Sequence, residues 1–295
     1  MDQFKLKPGA GKKYEISEQT FIDATKKRAP YCIRHNTGES YYAVCPECDN
    51  PIQIVGLYKR TIEAGRKPYG RHNKGSIPQL AEYCEEDYMN CSYSNPEWKQ
   101  PDHKRSSNSL VARRTLQLMK SQFDRVVNVF SEDTDIYISS DFAKELLKGY
   151  MLNKGWLYHT ATINNLPWLL GLANRSHTLF GRRIVNGSGL HKALAENCEH
   201  VRFEGTGKYV KVMNREGEFL NLNFFLYDPV QDVVGEHLTE TIKFQVSEGN
   251  PPNAKKIYEK TIHIDTDYFL ALVNLPENEN RNEKYLVIAD DLINI

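Results

Sequence analysis

The chain has 295 residues, 40% of them hydrophobic and 26% charged, which is long enough for two domains or three small ones and too apolar for a disordered protein. Lysine plus arginine balances aspartate plus glutamate at 38 each, so no global field draws in a polyanion and any nucleic-acid site has to be a local patch. The longest apolar run, 166–173, contains Pro167 and Gly171 and is too short for a membrane span, and Met1-Asp2-Gln3-Phe4-Lys5 carries no apolar stretch of signal length. Together with six cysteines, this predicts a reducing, cytoplasmic setting, where Cys-x-x-Cys serves metal or redox chemistry more often than a disulfide.

In chain order, the basic piece Lys7-Pro8-Gly9-Ala10-Gly11-Lys12-Lys13 lacks phosphate-loop spacing and reads as a solvated arm. Ser17 opens a short amphipathic helix through Ala24, with Lys26-Lys27-Arg28 at its C-terminal end. Residues 31–34 and 40–44 predict a hairpin around Asn36-Thr37-Gly38. Its second strand runs into Cys45-Pro46-Glu47-Cys48, and 51–56 leaves as another strand. A loop through Gly65, Pro68 and Gly70 then brings in His72. Ser76-Ile77-Pro78-Gln79 has capping-box spacing and predicts a helix through Leu80, Ala81, Cys84 and Tyr88 that stops near Cys91. Asn95-Pro96, Pro101 and the polar run 102–108 read as a linker.

The clearest helical period covers 109–130, where Ala112, Leu116, Met119, Phe123, Val127 and Phe130 recur at threes and fours. A short strand over 136–138 precedes a helix capped by Ser140 and stopped by Gly155. Further helices follow Pro167 and Ser188. From 201 onward the pattern turns to strands at 201–204, 209–213, 219–227, 239–246, 257–264 and 285–289. The expected class is α+β: a zinc-binding module over 1–100, a mainly helical region over 101–200, and an antiparallel β-rich domain over 201–295.

The chemistry concentrates at the cysteine knuckle. Two thiols spaced Cys-x-x-Cys aim at one point and supply half of a tetrahedral zinc shell. Downstream candidates for the other half are His72, Cys84 and Cys91, with His35 upstream. Cys84 is expected mid-helix on the apolar face, whereas Cys91 at the helix end is free to turn outward. The predicted metal ligands are therefore Cys45, Cys48, His72 and Cys91, holding a structural Zn2+ with no open position. The plainer alternative is a reduced pair without metal.

Two further groups carry possible chemistry. Glu259, Thr261, His263, Asp265 and Asp267 alternate along a predicted strand, so His263, Asp265 and Asp267 could bind a divalent metal in a nuclease or other hydrolase, with Asp290-Asp291 adding to it. The solvated face of an antiparallel sheet gives the same pattern. Arg60, Arg66, Lys67, Arg71 and Lys74, interleaved with Tyr58 and Tyr69, suit phosphate contacts and base stacking, against the ordinary reading of solvated surface charge. Asn186-Gly187-Ser188-Gly189 reads as a helix cap and not a nucleotide loop.

Over roughly residues 28 to 92, the hairpin, the Cys45-Pro46-Glu47-Cys48 knuckle, the apolar strand ending in Gly56 and the tyrosine-and-basic approach to His72 resemble the N-terminal zinc-finger region of competence CoiA-like proteins. That motif carries two histidines; here Tyr69 stands at the earlier position, so a fourth ligand must come from elsewhere, which favours Cys91. The resemblance implies DNA metabolism in a bacterial or mobile-element setting, including antiviral defence. The Asp…Glu-x-Lys core of the family's nuclease-like domain has no match, since Glu240-Thr241-Ile242-Lys243 has one residue too many. Three functions follow as expectations: a zinc-stabilised protein binding nucleic acid or a nucleic-acid-handling partner, a metal-dependent hydrolase, or a protein–protein adaptor.

Overall fold

The computed structural model describes residues 1–36, 38–58, 67–94, 103–216, 218–276 and 279–294. The chain opens with a ribbon of β1 (Gln3–Phe4) and β2 (Tyr14–Glu15), then α1 (Glu18–Thr25), where the Ser17 hydroxyl accepts the Thr20 amide as expected of an N-cap. The expected hairpin forms from β3 (Cys32–His35) and β4 (Gly38–Val44), and with β5 (Pro51–Val55) and β6 (Tyr69–His72) it makes an antiparallel sheet ordered β3-β4-β5-β6. Strand alternation puts Tyr41, Ala43, Ile52, Ile54, Gly70 and His72 on one face. That face packs on Met1, Phe4 and Phe21. Gly70 makes this possible, because a Cβ there would stand 2.8 Å from Met1 Cγ and 2.9 Å from Ile52 Cδ1.

The helix predicted to start near Ser76 does not form there. Ile77 and Ala81 make an isolated bridge around Gln79 at φ +63°, and only α2 (Glu85–Met89) is helical. The competing force is tertiary. Asn50 donates to the Cys84 carbonyl at 3.1 Å and accepts its amide at 2.7 Å, so Cys84 is held extended as the N-cap and is not mid-helix.

The predicted long helix over 109–130 is two helices, α3 (Leu110–Ser121) and α4 (Phe123–Thr134), with Gln122 non-helical between them. Arg281 explains the break: it donates to the Ser121 carbonyl at 2.7 Å and forks onto Asp124 at 2.8 and 3.0 Å. Next come β7 (Ile136–Tyr137), α5 (Ser140–Leu152), capped by Ser139 instead of Ser140, and α6 (Leu166–Leu172). They are followed by β8 (His177–Thr178), β9 (Arg183–Val185) and α7 (Gly189–Asn197), with Ser188 as its cap. The strands β10 (Val201–Glu204), β11 (Tyr209–Asn214), β12 (Leu222–Val234), β13 (His237–Glu248) and β14 (Lys255–His263) complete two antiparallel sheets, ordered β10-β11-β9-β7 and β14-β13-β12-β8.

Two helices end the chain. α8 (Thr266–Val273) starts where the strand through 257–264 was expected to carry its alternation onward, and α9 (Glu283–Leu292) occupies the predicted strand 285–289. Tyr285, Ile288 and Leu292 pack on the core at helical spacing, a period that a five-residue window is too short to reveal.

The protein is α+β. One apolar core runs from Leu116 to Ile293, so the helices of 101–200 and the strands of 201–295 pack as one body. A smaller core of Met1, Phe4, Phe21, Ile52, Ile54 and the cysteines lies in the N-terminal module. No helix among the described residues is long and apolar enough to cross a membrane.

Candidate metal centre

β4 delivers Cys45 at its end, the turn returns Cys48, β6 ends on His72, and α2 is followed at once by Cys91. One ligand atom from each residue lies within 4.8 Å of all the others. Cys45 Sγ and Cys91 Sγ are 3.8 Å apart, and Cys48 Sγ lies 3.3 Å from His72 Nε2. Sulfurs bound at the usual zinc distance on a tetrahedron stand about 3.8 Å apart, so this spacing fits one ion. The three thiols are 0%, 3% and 2% exposed, and His72 is half-buried with Tyr88 edge-on at 5.1 Å. Asn50 supports the shell: its side-chain N–H points to Cys48 Sγ at 3.3 Å, and its carbonyl accepts the Cys45 amide at 2.8 Å.

Electrostatics separate the thiols. Burial pushes Cys48 and Cys91 well above the ordinary thiol range, with Cys45 adding to the rise. Burial would raise Cys45 too, but hydrogen bonds from Cys48 and Cys91, together with nearby His72, hold it well below that range. A divalent cation is the charge that would let all three buried thiols ionise together. Among the described residues these four form the one group of three or more His, Cys, Asp or Glu side chains at metal-binding distance.

The ligand loops also grip the body, through residues that no motif marked. Asp49, next to Cys48 and 5% exposed, pairs with Lys5 at 2.5 Å, with Arg114 of α3 at 2.8 Å, and accepts the Gly9 amide at 2.9 Å. Glu47, inside the knuckle, accepts Asn164 Nδ2 at 2.7 Å and faces Lys13 at 3.8 Å. Asp87 of α2 accepts the Ser109 hydroxyl at 2.6 Å and lies 3.6 Å from the buried Arg105. The sole sequence hint was the acidic character of the knuckle and of α2; their partners lie far along the chain.

The remaining predicted residues are dispersed. His263 ends β14, and Asp265 caps α8 by accepting the Tyr268 amide at 2.9 Å, so the alternating face stops at His263. His263, Asp265 and Asp267 line one cleft without converging at metal distance. Asp290 and Asp291 lie on α9. Arg60 and Arg66 fall outside the described residues. Lys67 is exposed, Arg71 is exposed and donates to Gln53 at 3.0 Å, and Lys74 sits 5.1 Å over the Tyr88 ring. Comparison of the chain with protein-family models, curated proteins and solved structures finds no match.

Proposed function

We propose that Cys45, Cys48, His72 and Cys91 hold one structural zinc ion that closes the N-terminal module into one unit. The observation that supports this most directly is the clustering of three buried thiols and one imidazole within 4.8 Å. Soft thiolates with a single imidazole select zinc over magnesium or calcium, and four protein ligands leave no position for a substrate. The ion's contribution is therefore folding energy and not Lewis-acid chemistry. All six cysteines are free thiols, which fits the reducing, cytoplasmic setting of the proposal.

The module so fixed serves, in this reading, to bind nucleic acid or a nucleic-acid-handling partner. Its support is the exposed Lys67 and Arg71 at β6 with Lys74 beside them, and the resemblance of the knuckle to CoiA-like fingers. Metal analysis of Cys45→Ser, His72→Ala, Cys84→Ser and Cys91→Ser tests the ion: zinc is expected to persist only in Cys84→Ser. Zinc retained by Cys91→Ser and lost from Cys84→Ser sinks the ligand set. A salt titration of binding to single- and double-stranded DNA and RNA tests the partner, with Arg71→Ala expected to weaken binding and flatten the salt slope. Salt-independent or absent binding leaves a protein–protein adaptor.

A further inference from the structure

The sheet ordered β10-β11-β9-β7 packs one side on the core of the body through Ile136, Ile184, Val210 and Val212. Alternation turns the residues between them to the other side: Tyr137 from β7, Arg183 from β9, Tyr209 and Lys211 from β11, and Arg202 and Glu204 from β10. Tyr137, Arg183, Lys211 and Glu204 stand side by side in one row across the four strands.

Charge on this face does not balance, although the chain as a whole is neutral. Glu204 is the one acid that the four strands turn outward, and Arg202 already holds it at 2.6 Å. Arg183 and Lys211 are direct partners on adjacent strands, both exposed, and among the described residues neither side chain makes a hydrogen bond or ion pair. Partners in such a register have Cα atoms about 5 Å apart. Like charges so placed destabilise a sheet, and the buried opposite face keeps the register from slipping to separate them. An anion lying across the pair removes that cost. The second observation is aromatic. Tyr137, next to Arg183 in the row, is 39% exposed, and its ring lies 5.2 Å from the Tyr209 ring. Lys208, exposed at the start of β11, sits 5.3 Å over Tyr209. Cations beside aromatic rings on an open face suit phosphates and stacked bases together, and the planar fork of an arginine pairs with phosphate oxygens. An acidic peptide would use the cations and leave the rings idle. A duplex keeps its base faces in its own stack, so only unpaired bases can use Tyr137.

We propose that the outer face of this sheet binds single-stranded nucleic acid, with phosphates on Arg183 and Lys211 and a base on Tyr137. This surface belongs to the body, so the assignment needs neither the zinc ion nor the basic residues beside β6, and it adds a second surface and a single-stranded ligand to the reading above. Fluorescence anisotropy on the full chain, with labelled oligo(dT), oligo(U), a duplex of the same length and polyglutamate as probes, tests it. At least one of the single strands is expected to bind, tenfold or more tightly than the duplex or polyglutamate. Arg183→Gln and Lys211→Gln should each weaken that binding at least threefold and lower its salt slope by about 0.7. Tyr137→Leu should weaken it at least fivefold with the salt slope unchanged. Lys148→Gln, at an exposed cation of α5, is expected to change neither. Because Arg183 and Lys211 repel each other, their Gln variants are expected to melt no lower than the wild type, which separates lost binding from lost folding. Oligo(dT) alone binding assigns DNA, and oligo(U) alone assigns RNA. Binding lost in Arg71→Ala but kept in the Arg183→Gln, Lys211→Gln double variant puts the nucleic acid on the module and overturns this proposal alone. Binding of neither single strand, equal binding of the duplex or polyglutamate, or unchanged affinity in Tyr137→Leu overturns it as well.

Discussion

The N-terminal module and the body solve the same problem with different materials. The body buries Phe130, Phe142, Tyr150, Trp168, Phe224 and Phe244 in a continuous apolar core, and its stability follows from area removed from water. The module has a smaller core, in which three of the buried apolar residues are the cysteines Cys45, Cys48 and Cys91. It offsets that with a group of three cysteines and a histidine that could hold a metal ion and with buried ion pairs on Asp49 and Asp87. A small apolar core can thus be held by charge, provided every buried charge has a partner and the ligands share one ion.

The sharpest way to break the comparison is to remove the metal. Chelation, or Cys45→Ser, is expected to expose the amides of β3 to β6 to hydrogen exchange while β12 and β13 stay protected, because structural zinc in small modules contributes on the order of 10 kcal/mol. Uniform exchange in both parts would mean that the module does not depend on the ion. In the body, Phe224→Ala is expected to cost about 3–5 kcal/mol in denaturant unfolding, without change in zinc content. Asp49→Ala is the module's counterpart. It leaves Lys5 buried without its acid, at a cost of about 3–5 kcal/mol, and should loosen the joint even with zinc bound.

A smaller effect concerns acid. Burial alone would raise the Asp124 carboxyl, but hydrogen bonds from Arg281 and the Asn282 amide hold it below its ordinary value. A depressed carboxylate stabilises the fold at neutral pH, and the contribution is lost as pH falls below about 4. Asp124→Asn should therefore flatten the acid limb of the stability curve. Cys84→Ser is expected to change least, with zinc content unaltered and stability within about 0.5 kcal/mol.

Legibility tracked how local each determinant is. Ser17 and Ser188 were visible as caps because a cap needs only the next three residues. The hairpin and the knuckle were visible because turn residues and Cys-x-x-Cys spacing act within a few positions. Cys91 was identifiable from its place just past a helix end, although that helix proved shorter than its capping signal implied. Ser76 to Tyr88 failed because Asn50, far back in the chain, outbid local propensity at Cys84. The break at Gln122 failed for the same kind of reason, its partner being Arg281. Asp265 was misplaced because period-two alternation ran on in the sequence after the strand itself had ended in a helix cap.

By itself the sequence determined the α+β class, the hairpin leading into Cys45-Pro46-Glu47-Cys48, and the residue types able to hold a metal, since all of these are written in spacing and short-range chemistry. Only the tertiary structure decided that the helical and β-rich stretches share one core, that Asp49, Glu47 and Asp87 bind the knuckle to the body, and that His263, Asp265 and Asp267 face a cleft at that joint. Each of those outcomes depends on groups far apart in the chain, whose meeting is set by burial and charge pairing and leaves no periodic trace along the chain.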